Sequence, residues 1–89
     1  MHRYSLGLKL DATALEIFEL LLIAGNTTSI QKIVALEKAS SKLDLLKLLL
    51  RLAKDTQSLD NKKYLHLQSF LQEIGRMLGG WIKATKQIT

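Results

Sequence analysis

Residues 43–54 read LDLLKLLLRLAK, the most leucine-rich stretch of the sequence. Seven of its residues are leucines, and between positions 43 and 52 only Asp44, Lys47 and Arg51 interrupt them. A helix that packs on one side carries polar residues on its opposite face, whereas these leucines surround the helix. We therefore predict a helix whose apolar surface one neighbouring helix cannot cover.

The rest of the chain has the same helical character. Its 89 residues include no proline and five glycines, and apolar residues recur at spacings of three and four almost throughout. Polar breaks at residues 25–29 and 55–60 divide the chain. We predict an all-α fold, with three long helices at about residues 5–24, 29–54 and 60–86 in one domain over residues 1–89. Short connections favour an antiparallel helical bundle.

Local signals refine the helix ends and their inward faces. Gly25 suits the left-handed conformation that often ends a helix, and Ser58 or Asp60 is the predicted cap of the last helix. The residues predicted to face inward from the first helix are Leu6, Leu10, Ala14, Ile17 or Phe18, and Leu21. The third helix carries an apolar seam at alternating three and four spacing, made of Tyr64, Leu67, Leu71, Ile74, Leu78 and Trp81.

The apolar side chains exceed what three helices of this size can bury. Leaving about five leucines or aromatic residues in water costs about 1.5–3 kcal/mol each. The total rivals the net stability of a whole domain, about 5–15 kcal/mol. Association of copies is the usual remedy for a small chain with such an excess, so we predict a homo-oligomer.

Composition and motifs exclude several classes of protein and site. No apolar run approaches the roughly 20 residues of a membrane span, and the first residues lack the core of a secretory signal. The absence of cysteine indicates a reducing compartment, so we predict a cytoplasmic protein with no membrane partner. His2 and His66 form no metal-ligand pattern. We predict no metal, no cofactor, no catalytic residue and no enzymatic activity.

Glycines and one tryptophan cluster in the last helix. Gly75 and Gly79 are one helical turn apart, and Gly80 and Trp81 follow. Each glycine lowers the stability of a helix by about 1 kcal/mol relative to alanine, so we expect these glycines to have a structural or binding role. Either another backbone or a phosphate approaches closely, or the helices pack tightly. We favour helix packing or an oligomer interface for these four positions.

The basic residues are concentrated in the second and third helices of a chain with net charge +5. Lys47, Arg51 and Lys54 share one stripe, and Arg76, Lys83 and Lys86 share another. In a lone monomer such stripes are most simply a solvated face. In an oligomer each stripe is repeated, and weak phosphate contacts add up to a salt-sensitive, non-specific grip on RNA or DNA.

Three segments carry a family resemblance: residues 45–55, residues 63–66, and residues 73–83 with the sequence EIGRMLGGWIK. They resemble the Avd family, the accessory proteins of diversity-generating retroelements. That family is related to the four-helix-bundle proteins encoded in ribosomal-RNA intervening sequences. The resemblance extends more loosely to residues 3–7, so it covers nearly the whole chain.

The resemblance implies a non-catalytic homopentamer with a basic surface. Such a protein binds the retroelement's reverse transcriptase and nucleic acid during mutagenic retrohoming. The residues that match the family signature, and are implied to be structural, are Gly75, Gly79, Gly80 and Trp81. Those that fall on basic positions of the matching segments are Lys47, Arg51, Lys54, Arg76 and Lys83. The alternative interpretation is a structural, self-associating four-helix-bundle protein of the intervening-sequence type, without a ligand.

One departure from the family concerns the number of helices. Family members have a helix before the segment that opens here with Arg3-Tyr4, and the 89-residue sequence does not contain it. We expect either that the chain begins late or that a second subunit closes the groove left by the absent helix.

Overall fold

The computed structural model describes residues 3–57 and 59–88. Three helices follow one another: α1 (Arg3–Gly25), α2 (Ser29–Asp55) and α3 (Asn61–Ile88). The described residues contain no strand. The prediction of an all-α chain with three helices is confirmed, and the observed helix ends lie within two residues of the predicted ones.

The connection between α1 and α2 differs from the prediction. Gly25 was expected to take a left-handed conformation, and this expectation is wrong, because no described glycine has a positive φ. The side chains of Asn26 and Thr27 donate hydrogen bonds to the carbonyls of Leu22 and Ile23, at 2.9 and 3.0 Å. These bonds satisfy the last carbonyls of α1 without a left-handed residue. The left-handed turn comes later, at Ser29, with φ 57°.

The start of α3 follows the prediction. The Oδ1 atom of Asp60 accepts a hydrogen bond from the backbone N–H of Lys63 at 2.8 Å, which is the geometry of an N-terminal cap. Ser58, the other predicted cap, lies outside the described residues. Gln57, with φ 59°, turns the chain just before this cap.

Helix α2 lies between the other two helices. At one end of the α1–α2 contact Ala24 packs with Ala35, and at the other end Leu6 packs with Ala53, so these helices run antiparallel. Helices α2 and α3 also run antiparallel. Lys32, near the start of α2, lies over the ring of Trp81 near the end of α3, and Lys54, near the end of α2, lies over the ring of Tyr64 near the start of α3. No Cα atom of α1 lies within 8 Å of a Cα atom of α3 in the described ranges.

The core lies along both sides of α2. The buried apolar residues that form its largest cluster come from all three helices: Ile17, Leu43, Leu46, Leu50, Tyr64 and Leu71. A second cluster is rich in alanine, with Ala24, Ala35 and Ala39 around the fully buried Leu36. Small side chains let α1 and α2 approach closely at this end.

Only part of each predicted inward face is buried, because the neighbouring helices cover only some of its residues. Of the alternatives in α1, Ile17 is buried, whereas Phe18 is mostly exposed. In the α3 seam Tyr64, Leu71 and Leu78 are buried, but Leu67 is exposed. The predicted apolar excess of α2 is also visible, since several of its large side chains remain exposed: Ile30, Val34, Leu48 and Leu52.

An ion pair joins α1 to α2 and supplies a test at low pH. The Lys42 ammonium lies 2.7 Å from the Glu16 carboxylate. Their hydrogen bond, with the charge of Lys42, lowers the pKa of Glu16 below its ordinary value of 4.5. Because the pKa of Glu16 is lower in the folded than in the unfolded chain, the ion pair stabilises the fold at pH values above the unfolded-state pKa. This stabilisation is lost as the pH falls through the folded-state pKa and Glu16 becomes protonated.

We therefore expect Lys42→Gln to lower the melting temperature slightly at neutral pH and by progressively less as the pH falls below 4.5 and Glu16 becomes protonated. Thermal denaturation of both proteins at neutral pH and at a series of pH values below 4.5 measures this. Lys62→Gln is the control, because Lys62 has no ion pair with a described residue. A deficit of the Lys42 variant that persists at low pH would contradict the assignment.

Candidate nucleic-acid interface

The predicted basic residues of α2 lie beside its contact with α3. A Cβ atom added at Gly75 would lie 3.4 Å from Nζ of Lys47, so this ammonium reaches across to α3. The Nζ atom of Lys54 lies 4.7 Å from the centroid of the Tyr64 ring, a cation–π contact. Arg51 lies between them on the same stripe and is exposed.

The predicted basic residues of α3 share one exposed face of that helix. Arg76 and Lys83 are seven residues apart, which is two turns. At 100° per residue they lie about 160° around the helix from Ile74 and Trp81. We call the five residues Lys47, Arg51, Lys54, Arg76 and Lys83 the basic face.

Acidic neighbours divide the basic face into paired and unpaired groups. Arg51 lies 3.5 Å from Asp55, and the guanidinium of Arg76 contacts Glu73. Both pairs are exposed, so a phosphate can exchange with either carboxylate. Lys47, Lys54 and Lys83 have no ion pair with a described residue. These three lysines can therefore bind a polyanion without first breaking an ion pair, Lys83 from an exposed position and Lys47 and Lys54 from half-buried ones beside α3.

The glycines of the last helix have two different surroundings. A Cβ atom at Gly75 would lie 3.2 Å from Cδ2 of Leu43, so the absence of a side chain here lets α3 lie close to α2. A Cβ atom at Gly79 or Gly80 would meet nothing within 4 Å. Packing within the chain therefore accounts for Gly75 and leaves Gly79 and Gly80 on an open surface.

Trp81 packs at the α2–α3 contact. Its ring borders the cluster around Leu36 and Leu78, and Nζ of Lys32 lies 5.6 Å from the ring centroid. Lys32 was not among the predicted residues, although its position on α2 directs it to α3. The interhelical pair of Lys86 with Glu37, 3.0 Å apart, was missed as well, because sequence spacing does not reveal contacts between helices.

Other kinds of site have little support in residues 3–57 and 59–88. This part of the chain contains no cluster of three or more histidine, aspartate or glutamate residues placed to hold a metal ion. Within the same ranges, no helix combines the length and the apolar character that a membrane span requires.

Comparison with known families supports the resemblance carried by residues 45–55 and 73–83. Searches of curated proteins and of solved structures find no match. The model of the bAvd-like family matches residues 1–85, which include all five residues of the basic face. Because that match spans nearly the whole sequence, the chain belongs to the bAvd-like family.

Proposed function

We propose that the chain is a non-enzymatic accessory protein of a diversity-generating retroelement, which holds a reverse transcriptase and nucleic acid during mutagenic retrohoming. The observation that carries the proposal is the bAvd-like match over residues 1–85. The net charge of +5 and the basic face support the nucleic-acid part. The absence of cysteine from the sequence supports work in the reducing cytoplasm.

The chemistry of the basic face favours contacts with phosphates over contacts with bases. Lysine ammonium groups bind phosphate oxygens as point charges, without reading sequence. Tyr64, the aromatic residue nearest to Lys54, is buried and offers no platform for a stacked base. The expected binding is therefore non-specific, common to RNA and DNA, and strongly dependent on salt.

Assembly of several copies strengthens this binding. A homo-oligomer, a pentamer by family resemblance, repeats the basic face on each subunit. One strand that contacts several subunits gains avidity without any new type of contact. The reverse transcriptase is then free to bind the same assembly through a different surface, and co-purification of the two proteins tests that part of the proposal.

The test of nucleic-acid binding neutralises the three unpaired lysines. We expect Lys47→Gln, Lys54→Gln and Lys83→Gln together to weaken binding of a single-stranded RNA at least about tenfold at low salt. The slope of log K against log salt should shrink by about 0.7 for each phosphate that the variant no longer neutralises. Fluorescence anisotropy with a labelled RNA, from about 50 to 200 mM salt, measures both quantities.

A matched control has the same net charge. Lys9→Gln, Lys38→Gln and Lys63→Gln remove three positive charges outside the basic face. We expect this variant to keep most of the affinity and the slope, with circular dichroism confirming helix in both triple variants. An equal drop in affinity for the two variants would show that total charge, and not the basic face, binds RNA.

The alternative, a structural self-associating protein without a ligand, is favoured by one observation. An apolar surface remains open between α1 and α3. That interpretation predicts assembly without salt-dependent retention of RNA, so the anisotropy measurement on the unmodified chain separates the two.

A further inference from the structure

Helix α1 turns one face away from α2. At about 100° per residue, Leu15 lies about 160° around the helix from Ile17, which is buried in the core shared with α2. Leu8 and Leu22 lie seven residues to either side of Leu15, so the three leucines form one stripe. Their exposed fractions are 54%, 60% and 69% along the chain. The other two helices therefore leave this stripe uncovered.

The charges beside the stripe are acidic. Asp11 and Glu19 lie about 40° on either side of Leu15, and both are exposed. Neither has an ion pair with a described residue. Lys9 is the one basic residue of positions 5–25, and it lies about 120° around the helix from Leu15. We call the acidic and apolar surface of these five residues the outer face of α1: Leu8, Asp11, Leu15, Glu19 and Leu22.

Other apolar surfaces of the chain differ from the outer face in charge. The exposed Leu65 lies within about 20° of Arg76 and Lys83 around α3, so its surroundings are basic. The apolar groove between α1 and α3 has only apolar residues in its lining. The outer face combines exposed leucines with unpaired carboxylates, and its partner has to match both.

The carboxylates determine which partners suit the outer face. A phosphate backbone would place like charges beside Asp11 and Glu19, and so would the outer face of a second copy. The apolar groove of a second copy would bury both carboxylates without a cation, which is strongly unfavourable. The complement is therefore an apolar protein surface that carries lysine or arginine at its rim.

The shape of the outer face specifies a groove on that partner. The face is the convex side of a single helix, and its leucines span about 21 Å at 1.5 Å per residue. Helices of this kind dock by inserting apolar anchors into a groove of the partner, with charged residues at the rim. Surfaces rich in lysine and arginine are characteristic of proteins that bind nucleic acid.

We propose that the outer face of α1 docks in an apolar groove with a basic rim on a nucleic-acid-binding protein. Asp11 and Glu19 pair with cations at the rim, and the three leucines fill the floor of the groove. This inference rests on the proposed function, in which that protein is the reverse transcriptase. It assigns two tasks to two surfaces, because the basic face lies on α2 and α3 and stays open to RNA.

The test measures binding of the retroelement's purified reverse transcriptase to the immobilised 89-residue chain by biolayer interferometry. We expect Asp11→Asn with Glu19→Gln to weaken binding about tenfold, because two ion pairs are lost. Leu15→Ser should weaken binding at least about tenfold, because a buried leucine is lost from the contact. Fluorescence anisotropy should show that these variants keep the RNA affinity of the unmodified chain.

Matched controls lie on α2. Glu37→Gln with Asp44→Asn removes two negative charges outside α1. Leu48→Ser replaces a leucine whose exposed fraction, 58%, is close to that of Leu15. We expect both controls to bind reverse transcriptase as the unmodified chain does.

The outcomes distinguish this inference from the proposed function. Reverse transcriptase that binds the unmodified chain, the α1 variants and the α2 controls equally well would overturn this inference alone. A fall in solution mass on Leu15→Ser, measured by light scattering, would place a second copy on the outer face and would also overturn it. Failure of the unmodified chain to bind reverse transcriptase would overturn the proposed function, and this inference with it.

Discussion

Replacing Leu36 by alanine is expected to lower the free energy of unfolding by about 3–4 kcal/mol. Leu36 is 0% exposed and lies where Ala24 of α1 and Leu78 of α3 meet α2. Alanine would remove the packing against both helices and leave a cavity that the surrounding small side chains cannot fill. Urea denaturation followed by circular dichroism measures the change.

A leucine of the same helix serves as control. Leu48 is 58% exposed, so Leu48→Ala should change the free energy of unfolding by no more than about 0.5 kcal/mol. Both variants have to be compared at one protein concentration, because association adds to apparent stability. Similar destabilisation by Leu36→Ala and Leu48→Ala would mean that the outer surface of α2 is buried in solution.

Replacing Gly75 by valine is expected to lower the free energy of unfolding by about 1–3 kcal/mol, and the melting temperature by roughly 10 °C. A Cβ atom there already lies 3.2 Å from Cδ2 of Leu43, a buried side chain that has little room to move. The two further methyl carbons of valine push α3 away from α2. The displacement also moves Lys47 of the basic face.

Gly79 gives the matched comparison one turn away. Since a Cβ atom at Gly79 meets nothing within 4 Å, Gly79→Ala should raise the free energy of unfolding by up to about 1 kcal/mol. Thermal denaturation of Gly75→Val, Gly79→Ala and the unmodified chain measures both changes in stability. A destabilising Gly79→Ala would indicate that another molecule packs against this part of α3.

The number and ends of the helices were predictable because local chemistry determines them. Proline is absent, the polar breaks are short, and the Asp60 cap is visible in the sequence. The error at Gly25 has an equally local origin. Side-chain bonds from Asn26 and Thr27 replaced the left-handed turn that glycine usually provides.

The neighbours of each helix were less predictable, because periodicity identifies an apolar face but not what covers it. Leu67 and Leu71 of one α3 seam both line the apolar groove between α1 and α3, but Leu71 is buried against α2 and Leu67 is exposed. Ile17 and Phe18 are adjacent in sequence and both line the groove, yet Ile17 is buried in the core and Phe18 is mostly exposed. Only the placement of α1 and α3 around α2 distinguishes these positions.

The basic residues of the candidate interface were predicted from the sequence, but the acidic residues that pair with some of the basic side chains were not. Helical spacing placed Lys47, Arg51 and Lys54 on one stripe. Helical spacing also places Asp55 beside Arg51, four residues apart, but it gives no sign of the pair between Lys86 and Glu37, which lie on different helices.

The central position of α2 has a consequence for how the molecule opens. The backbones of α1 and α3 approach only α2 within the described ranges, so the three helices form a linear series with nearest-neighbour coupling. We expect either outer helix to open more readily than α2, because α2 contacts both of the others. Amide hydrogen exchange should then be slowest in the middle of α2 and faster, with separate opening free energies, in α1 and in α3. Equal protection of all three helices would instead show that the shared core makes the chain open as one unit.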